Sequence, residues 1–346
     1  MRLLTEWINK QPLISFFIIC YAISWGSWLP FLLSGNQILE ILVIVGLFGP
    51  PLACIIVETN STQKTTQHIQ TPFWKSFLGS WILSIIARSA FTQMTTPEVP
   101  PIVYLIFGVL AMLPAYIIAS AYYGAPNLRK TLGSLIHPPG WVGWYVFALL
   151  TPLLFRLLSV LVSNQLGWEL LSDPRISSNI VELAGTVLVT FLYTVFYAGG
   201  LNEETGWTGL ALPRLMEKFS PLLSTIIIWV LWMLWHVPVH FAGYFNLSLH
   251  VLVGSFLGRF LLTWLFMKSK GGLLTAILLH TSVNVTSQFV PLTNASLLID
   301  AIVALIVIIE GKMWKRLPKM AYTTDVRLLA PCDQQSKLKP STLLPY

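Results

Sequence analysis

Two adjacent carboxylates, Glu203 and Glu204, stand in the stretch NEETGWTGLALPR (202–214), directly after an apolar run from Thr186 to Gly200. Acidic groups beside a membrane-length segment are costly to keep, so a site that uses them is the first expectation. Neighbouring helix positions differ by about 100°, so the two cannot face the same point. Glu203 shares a face with Trp207 and Glu204 with Thr208, each at i+4. One carboxylate can face a cavity while the other faces protein support. Further on, His236 follows the apolar LWMLW (231–235), two residues before Pro238, and His280 and Asn284 stand at i,i+4 on one helix face. Proton-accepting and hydrogen-bonding groups on three hydrophobic elements are the parts of a proton-transfer site enclosed by helices. Each has an unreactive alternative: a histidine or asparagine that bonds a neighbouring helix, or a carboxylate pair at a solvated helix end. The remaining histidines are weaker candidates. His68 and His137 lie in loops, His240 is separated from His236 by the proline, and His250 lies near the outer end of its span.

The elements that must hold these residues are read from hydropathy. Hydrophobic residues make up 55% of the 346 and charged residues 10%, with a mean hydropathy of +0.71. That composition is far from a soluble domain and predicts an all-α polytopic transmembrane bundle with about 8–10 spans. The expected spans are 13–33, 38–57, 73–91, 102–122, 141–162, 180–200, 222–241, 247–267, 272–290 and 296–310. Gly49-Pro50-Pro51 should kink the second. The third is short between Lys75 and Arg88, whose side chains could snorkel outward; ten is the preferred count and eight the fallback.

With ten spans and the N-terminus inside, Lys64, Arg129, Lys130, Arg214, Lys218, Lys268 and Lys270 fall on the inner side. Arg175 is the outer exception. That alternation obeys the positive-inside rule and accounts for the net charge of +7 without nucleic acid. The chain divides into N-terminal helices (1–123), a core (141–310, with the motif-bearing part 180–290) and a basic cytoplasmic tail (311–346). In this topology the site lies near the cytoplasmic ends of its spans, with a shallow cavity opening to the cytoplasm. Cys20, Cys54 and Cys332 form no metal-ligand or disulfide spacing.

In order, EE, then WxxxH, then HxxxN on successive helices resembles the intramembrane CAAX-type proteases of the bacteriocin-processing (CPBP) family, whose motifs are EExxxR, FxxxH and HxxxN or HxxxD. The resemblance covers roughly 180–290. It implies a peptidase in which Glu203 and His236 activate a water and His280 and Asn284 bind the developing oxyanion. Glu204, Trp207, Trp232 and Arg259 would support them. Two positions depart from the motifs: Trp232 stands for phenylalanine, and Thr208 for the arginine. That arginine would neutralise Glu204, so Glu204 needs another partner. Arg259, inside the apolar GSFLGRFLLTW, is the candidate, with Arg156 in LLFRLLS its competitor. Exchanging the charges at 204 and 259 together should then restore what either single reversal loses.

A metal-free glutamate mechanism is the favoured reading. The alternative is a divalent ion such as zinc on Glu203, His236 and His280. The expected partners are the bilayer and a membrane-tethered peptide or protein, prenylated CAAX-like or bacteriocin-like. The expected location is the plasma membrane with both termini cytoplasmic. Two other functions use the same residues: a non-catalytic scaffold or immunity protein, and a proton-coupled transporter with Glu203, Arg156 and Arg259 along its path.

Overall fold

The computed structural model describes residues 2–36, 39, 41–60, 71–96, 98–136, 138–172, 177, 179–245 and 247–317. Lys64, His68, His137, Arg175, Cys332 and the tail from residue 318 lie outside the described residues. Among those described, every named element is a helix, and one isolated β-bridge joins Leu170 to Thr293.

The N-terminal layer begins with α1 (Arg2–Lys10) and α2 (Pro12–Ser34). Phe16, Cys20, Ser24 and Trp28 recur every four residues on α2 and are buried, giving it one inward face. Against that face lie α3 (Ile41–Leu47) and α4 (Gly49–Asn60), bent by 47° at Phe48, beside the expected Gly-Pro-Pro kink. Gly49 permits the close approach, since a Cβ there would sit 1.9 Å from Ser24 Oγ. Ser24 Oγ donates to the Gly46 carbonyl at 2.7 Å and Trp28 Nε1 to the Val43 carbonyl at 2.9 Å, fixing the bend.

Next come α5 (Thr71–Thr95), α6 (Pro101–Leu110), α7 (Met112–Tyr123) and α8 (Pro126–Ile136). The Arg88 side chain turns inward rather than snorkelling: it donates to Tyr193 Oη at 2.8 Å and lies 4.7 Å from the Phe107 ring. The core follows with α9 (Gly143–Leu166), α10 (Ile180–Tyr197), α11 (Leu201–Gly206), a π-helical turn (Trp207–Ala211) and α12 (Leu212–Met216). It is completed by α13 (Pro221–Trp235), α14 (Val237–Phe241), α15 (Leu249–Lys268), α16 (Leu273–Phe289) and α17 (Asn294–Glu310). Side-chain caps from Asn179, Ser220 and Ser248 start α10, α13 and α15. The break between α13 and α14 falls at His236, as Pro238 predicts.

Among the described residues, five helical stretches are long and apolar enough to cross a membrane, counting α6–α7 and α10–α12 as one each, or six if α3 and α4 form one bent span. This is fewer than the expected eight to ten. The α13 helix has 15 residues and α16 and α17 have 17 each, short of the ~20 of a full span. The 25-residue α5 is long enough but carries too many polar residues. The chain is therefore an all-α integral membrane bundle in which several apolar helices pack partly inside.

Small polar side chains join these helices, as expected where the surroundings are as apolar as the interface. Ser282 Oγ donates to the Leu149 carbonyl at 2.5 Å and Thr293 Oγ1 to the Ser159 carbonyl at 3.4 Å, so α9 and α16 run in the same direction. Thr225 and Thr263 join α13 to α15 at 2.9 Å. Tyr21 Oη donates to the Leu231 carbonyl at 2.5 Å, joining α2 to α13. The basic residues gather at one end, where Glu58, Lys130, Arg214, Glu217 and Lys270 line a polar cavity of about 360 Å³.

Candidate active site

The site begins at a sharp turn. The α10 helix stops at Tyr197, and Gly199 adopts φ +111°, a region that side chains with a Cβ rarely enter. The Gly199 N–H donates to Asn202 Oδ1 at 2.9 Å, and Asn202 Nδ2 donates to the Leu47 carbonyl at 3.3 Å. That pair of bonds restarts the helix as α11 with Glu203 and Glu204 in its first turn, where carboxylates suit the helix dipole. The glutamates are not at a solvated helix end. Helical structure continues to Met216, and Glu203 is 5% and Glu204 0% exposed.

Glu204 is fully engaged. Arg259 Nη1 donates to its two oxygens at 3.0 and 3.2 Å, and His280 Nδ1 lies 2.7 Å from Oε1. Thr208 Oγ1 donates to Oε2, and Arg259 Nη2 donates to Thr208 Oγ1 at 2.9 Å. The guanidinium that the motif would supply at i+4 arrives instead from α15, and Thr208 links it to the carboxylate. The sequence pairing of Arg259 with Glu204 is thus present in the structure. Arg156 is not part of this cluster.

Glu203 is held from α13. Trp232 Nε1 donates to Glu203 Oε2 at 2.5 Å, a bond phenylalanine could not make. The same residue orients His236, whose Nδ1 lies 2.8 Å from the Trp232 carbonyl. A carbonyl only accepts, so Nδ1 carries the proton and Nε2 keeps its lone pair. The His236 ring stacks on Phe245 at 4.1 Å and meets Trp232 edge-on at 4.3 Å. One tryptophan therefore positions both members of the expected water-activating pair.

His280 and Asn284, on α16, converge on the turn. Asn284 Nδ2 donates to the Ala198 carbonyl at 2.9 Å. A Cβ built on Gly199 would fall 2.5 Å from Asn284 Nδ2 and 2.7 Å from His280 Nε2. The absence of a side chain at Gly199 thus lets His280 and Asn284 pack directly against the backbone of the turn. Because His280 Nδ1 faces the Glu204 carboxylate, its Nε2 donates only when the ring is an imidazolium, and Glu204 is the counter-ion for that state.

Trp207 is elsewhere. The Trp207 N–H bonds the Glu203 carbonyl, so the i,i+4 spacing is kept, but the indole turns away from the carboxylate. Its ring packs 5.8 Å from Phe16 and 6.1 Å from Trp235. Support for Glu203 comes from Trp232 instead. Sequence reasoning missed Gly199 and Asn202; a Gly-Gly pair followed by asparagine, immediately before two glutamates, is the signal that could have found them. His240 is occupied by the Phe245 carbonyl at 2.8 Å.

An apolar cavity of about 450 Å³ lies beside the site, with Trp232, Arg259, His280 and Asn284 on its wall. Ser172, His250 and Leu292 also line it, from the end opposite the basic residues, so the cavity does not open toward the basic end as expected from topology. His280 is near the middle of α16 and not at its end. Among the described residues, no group of three or more histidine, cysteine, aspartate or glutamate side chains is placed to hold a metal ion. The trio Glu203, His236 and His280 does not form one.

Residues 183–286 match the family model "Type II CAAX prenyl endopeptidase Rce1-like". Over that segment the chain is similar to the CAAX-type proteases. A curated relative, CAAX prenyl protease 2 of Methanococcus maripaludis, is 27% identical over 173 residues, which cover 46% of this chain and 62% of that protein. The match to the CAAX-type family model takes in all four polar residues that the sequence singled out for chemistry, together with Glu204 and Arg259.

Proposed function

We propose that the chain is an intramembrane endopeptidase that uses a glutamate-activated water. The observation that carries this is the division of polar groups around the turn at Gly199. Trp232 holds Glu203 and His236 on one side, and His280 Nε2 and Asn284 Nδ2 lie together against Gly199 on the other. Glu203 takes a proton from water, aided by the free Nε2 of His236, and the water oxygen bonds to the peptide carbon. The carbonyl oxygen gains the negative charge, which His280 and Asn284 stabilise by donated hydrogen bonds. Glu203 then returns the proton to the departing amine as the C–N bond breaks. The substrate is a membrane-tethered peptide or protein, either a prenylated CAAX-like C-terminus or a bacteriocin-like peptide. In this reading no step is routed through a metal.

With Arg259 bonded to Glu204 and Thr208, the threonine in place of the motif arginine does not leave that carboxylate uncompensated, which supports the enzyme reading. For the purified chain in nanodiscs, Glu203→Gln should lower peptide cleavage roughly 100- to 10,000-fold, the contribution of a general base, with thermal stability retained. Cleavage at the unsubstituted rate by Glu203→Ala would overturn the proposal. Activity should survive a chelator; inactivation reversed by Zn²⁺ would replace the metal-free mechanism. This reading includes a plasma-membrane location with cytoplasmic termini, which protease protection of terminal tags in spheroplasts tests.

A further inference from the structure

The family match begins at residue 183, yet the turn that carries the site is held from the N-terminal layer. The origin of that hold is a diproline. Pro50 and Pro51 have no N–H, so the carbonyls of Gly46 and Leu47, four residues before them, are denied their helical donors. A carbonyl stranded in an apolar bundle is costly, and side chains of neighbouring helices re-satisfy it. Both carbonyls are taken in this way, from different helices. Ser24 Oγ on α2 donates to the Gly46 carbonyl at 2.7 Å, and Asn202 Nδ2 on α11 donates to the Leu47 carbonyl at 3.3 Å. The first bond closes within the N-terminal layer. The second crosses to the residue immediately before Glu203.

Three contacts set the bend against both ends of the turn. Phe48, at the apex of the 47° bend, is fully buried, with its ring centroid 6.1 Å from that of Tyr197, the last residue of α10. Asn202 bonds the Leu47 carbonyl through Nδ2 and the Gly199 N–H through Oδ1. Gly206 ends α11 directly against Pro50: a Cβ there would fall 2.7 Å from both the Cβ and the carbonyl oxygen of Pro50. Between these contacts lie Ala198, whose carbonyl accepts from Asn284, and Gly199, against which His280 and Asn284 pack. Asn202 itself is fully buried, with both ends of its amide bonded inside the protein.

We propose that Asn202 is a positioning residue for the cleavage reaction, and that it acts by carrying the diproline bend of α3 and α4 onto the Gly199 turn. The proposal rests on the peptidase reading and adds to it a part that lies outside residues 183–286. The bend sets where the Leu47 carbonyl stands, Asn202 follows that carbonyl, and its Oδ1 fixes the Gly199 N–H. The turn then sets the Ala198 carbonyl and the backbone on which His280 and Asn284 rest. A bend that straightened would release the Asn202 amide. The side of the site that stabilises the oxyanion would lose its register, while Glu203 stayed on Trp232.

The test uses the full chain in nanodiscs, with two readouts: steady-state cleavage of a peptide carrying a lipidated cysteine followed by three apolar residues, and hydrogen exchange of the amides at 198–204. Pro51→Ala returns an N–H to position 51, which can take the Leu47 carbonyl in the helical manner and free Asn202 Nδ2. It should lower kcat roughly threefold to tenfold, the worth of one hydrogen bond, with KM within about twofold, and speed exchange at the turn by a similar factor. Ser24→Ala removes the sister bond from the same bend and should lower the melting temperature while leaving kcat and exchange at the turn unchanged. Asn202→Ala should lower kcat at least as far as Pro51→Ala, and the double substitution should be no slower than Asn202→Ala alone, because both break one link. Equal effects of Pro51→Ala and Ser24→Ala on kcat and exchange, or losses that multiply in the double variant, overturn the proposal. If either Pro51→Ala or Asn202→Ala fails to fold, the other against Ser24→Ala still decides it. Faster exchange in Pro51→Ala with no cleavage by any chain upholds the coupling and overturns the peptidase reading alone, whereas cleavage with kcat and exchange unchanged in Pro51→Ala does the reverse.

Discussion

The Glu204–Arg259 pair offers the sharpest quantitative prediction. Its members are 0% and 6% exposed, and the guanidinium nitrogen reaches both carboxylate oxygens at 3.0 and 3.2 Å. Removing one partner strands the other charge, so Arg259→Met and Glu204→Gln should each cost about 3–5 kcal/mol of stability. The double substitution strands neither, and the glutamine side chain introduced by Glu204→Gln can still accept from His280 Nδ1. It should therefore cost less than the sum, with a coupling above roughly 2 kcal/mol, in the upper part of the range for residues in contact. Equilibrium unfolding in mixed micelles, taken around all four corners of the cycle, measures the coupling. A value below about 0.5 kcal/mol, the scatter expected of independent sites, would refute the pairing. The exchange of charges that the sequence suggested is the poorer experiment. It would set an arginine against His280, which is 2.7 Å from Glu204 and needs an anion there.

Two further substitutions read the other side of the site. Trp232→Phe restores the family aromatic but deletes the indole donor, and should lower kcat by roughly tenfold or more with KM within about twofold, as expected for a bond to a charged acceptor; steady-state cleavage kinetics check it, and an unchanged kcat would sink the assignment. Gly199→Ala adds a Cβ 2.5 Å from Asn284 Nδ2 and forces alanine to φ +111°. It should cost about 1–3 kcal/mol of strain and abolish cleavage, which melting curves and activity together test; full activity would remove the turn from the site.

The sequence carried the helical class and the polar residues of the site, because membrane hydropathy and i,i+4 spacing are local signals. It even singled out Arg259 as the cation for Glu204, since an arginine inside an apolar helix demands a partner. What it could not carry were the non-local and irregular features. The span count came out high because apolar runs in the sequence extend past the helices they contain: α13, α16 and α17 have 15, 17 and 17 residues. Trp207 was assigned to Glu203 on helix spacing, which holds, but its ring packs against Phe16 and Trp235 across the helix interface, a tertiary choice that spacing does not record. The direction of the cavity was misjudged because it is set by where α9, α15, α16 and α17 splay, which no single segment records.

Supplying the cation of Glu204 from another helix also has a consequence in time. An arginine at i+4 leaves the ribosome almost together with its carboxylate. Arg259 follows Glu204 by 55 residues, and His280 follows it by 76. At ~5–20 residues per second, the first delay is about 3–11 s. During that interval the nascent segment carries an uncompensated acid, so α11 cannot settle among apolar neighbours until α15 arrives. Assembly of this bundle is thereby tied to an order of synthesis, with the glutamate turn waiting for its counter-ion.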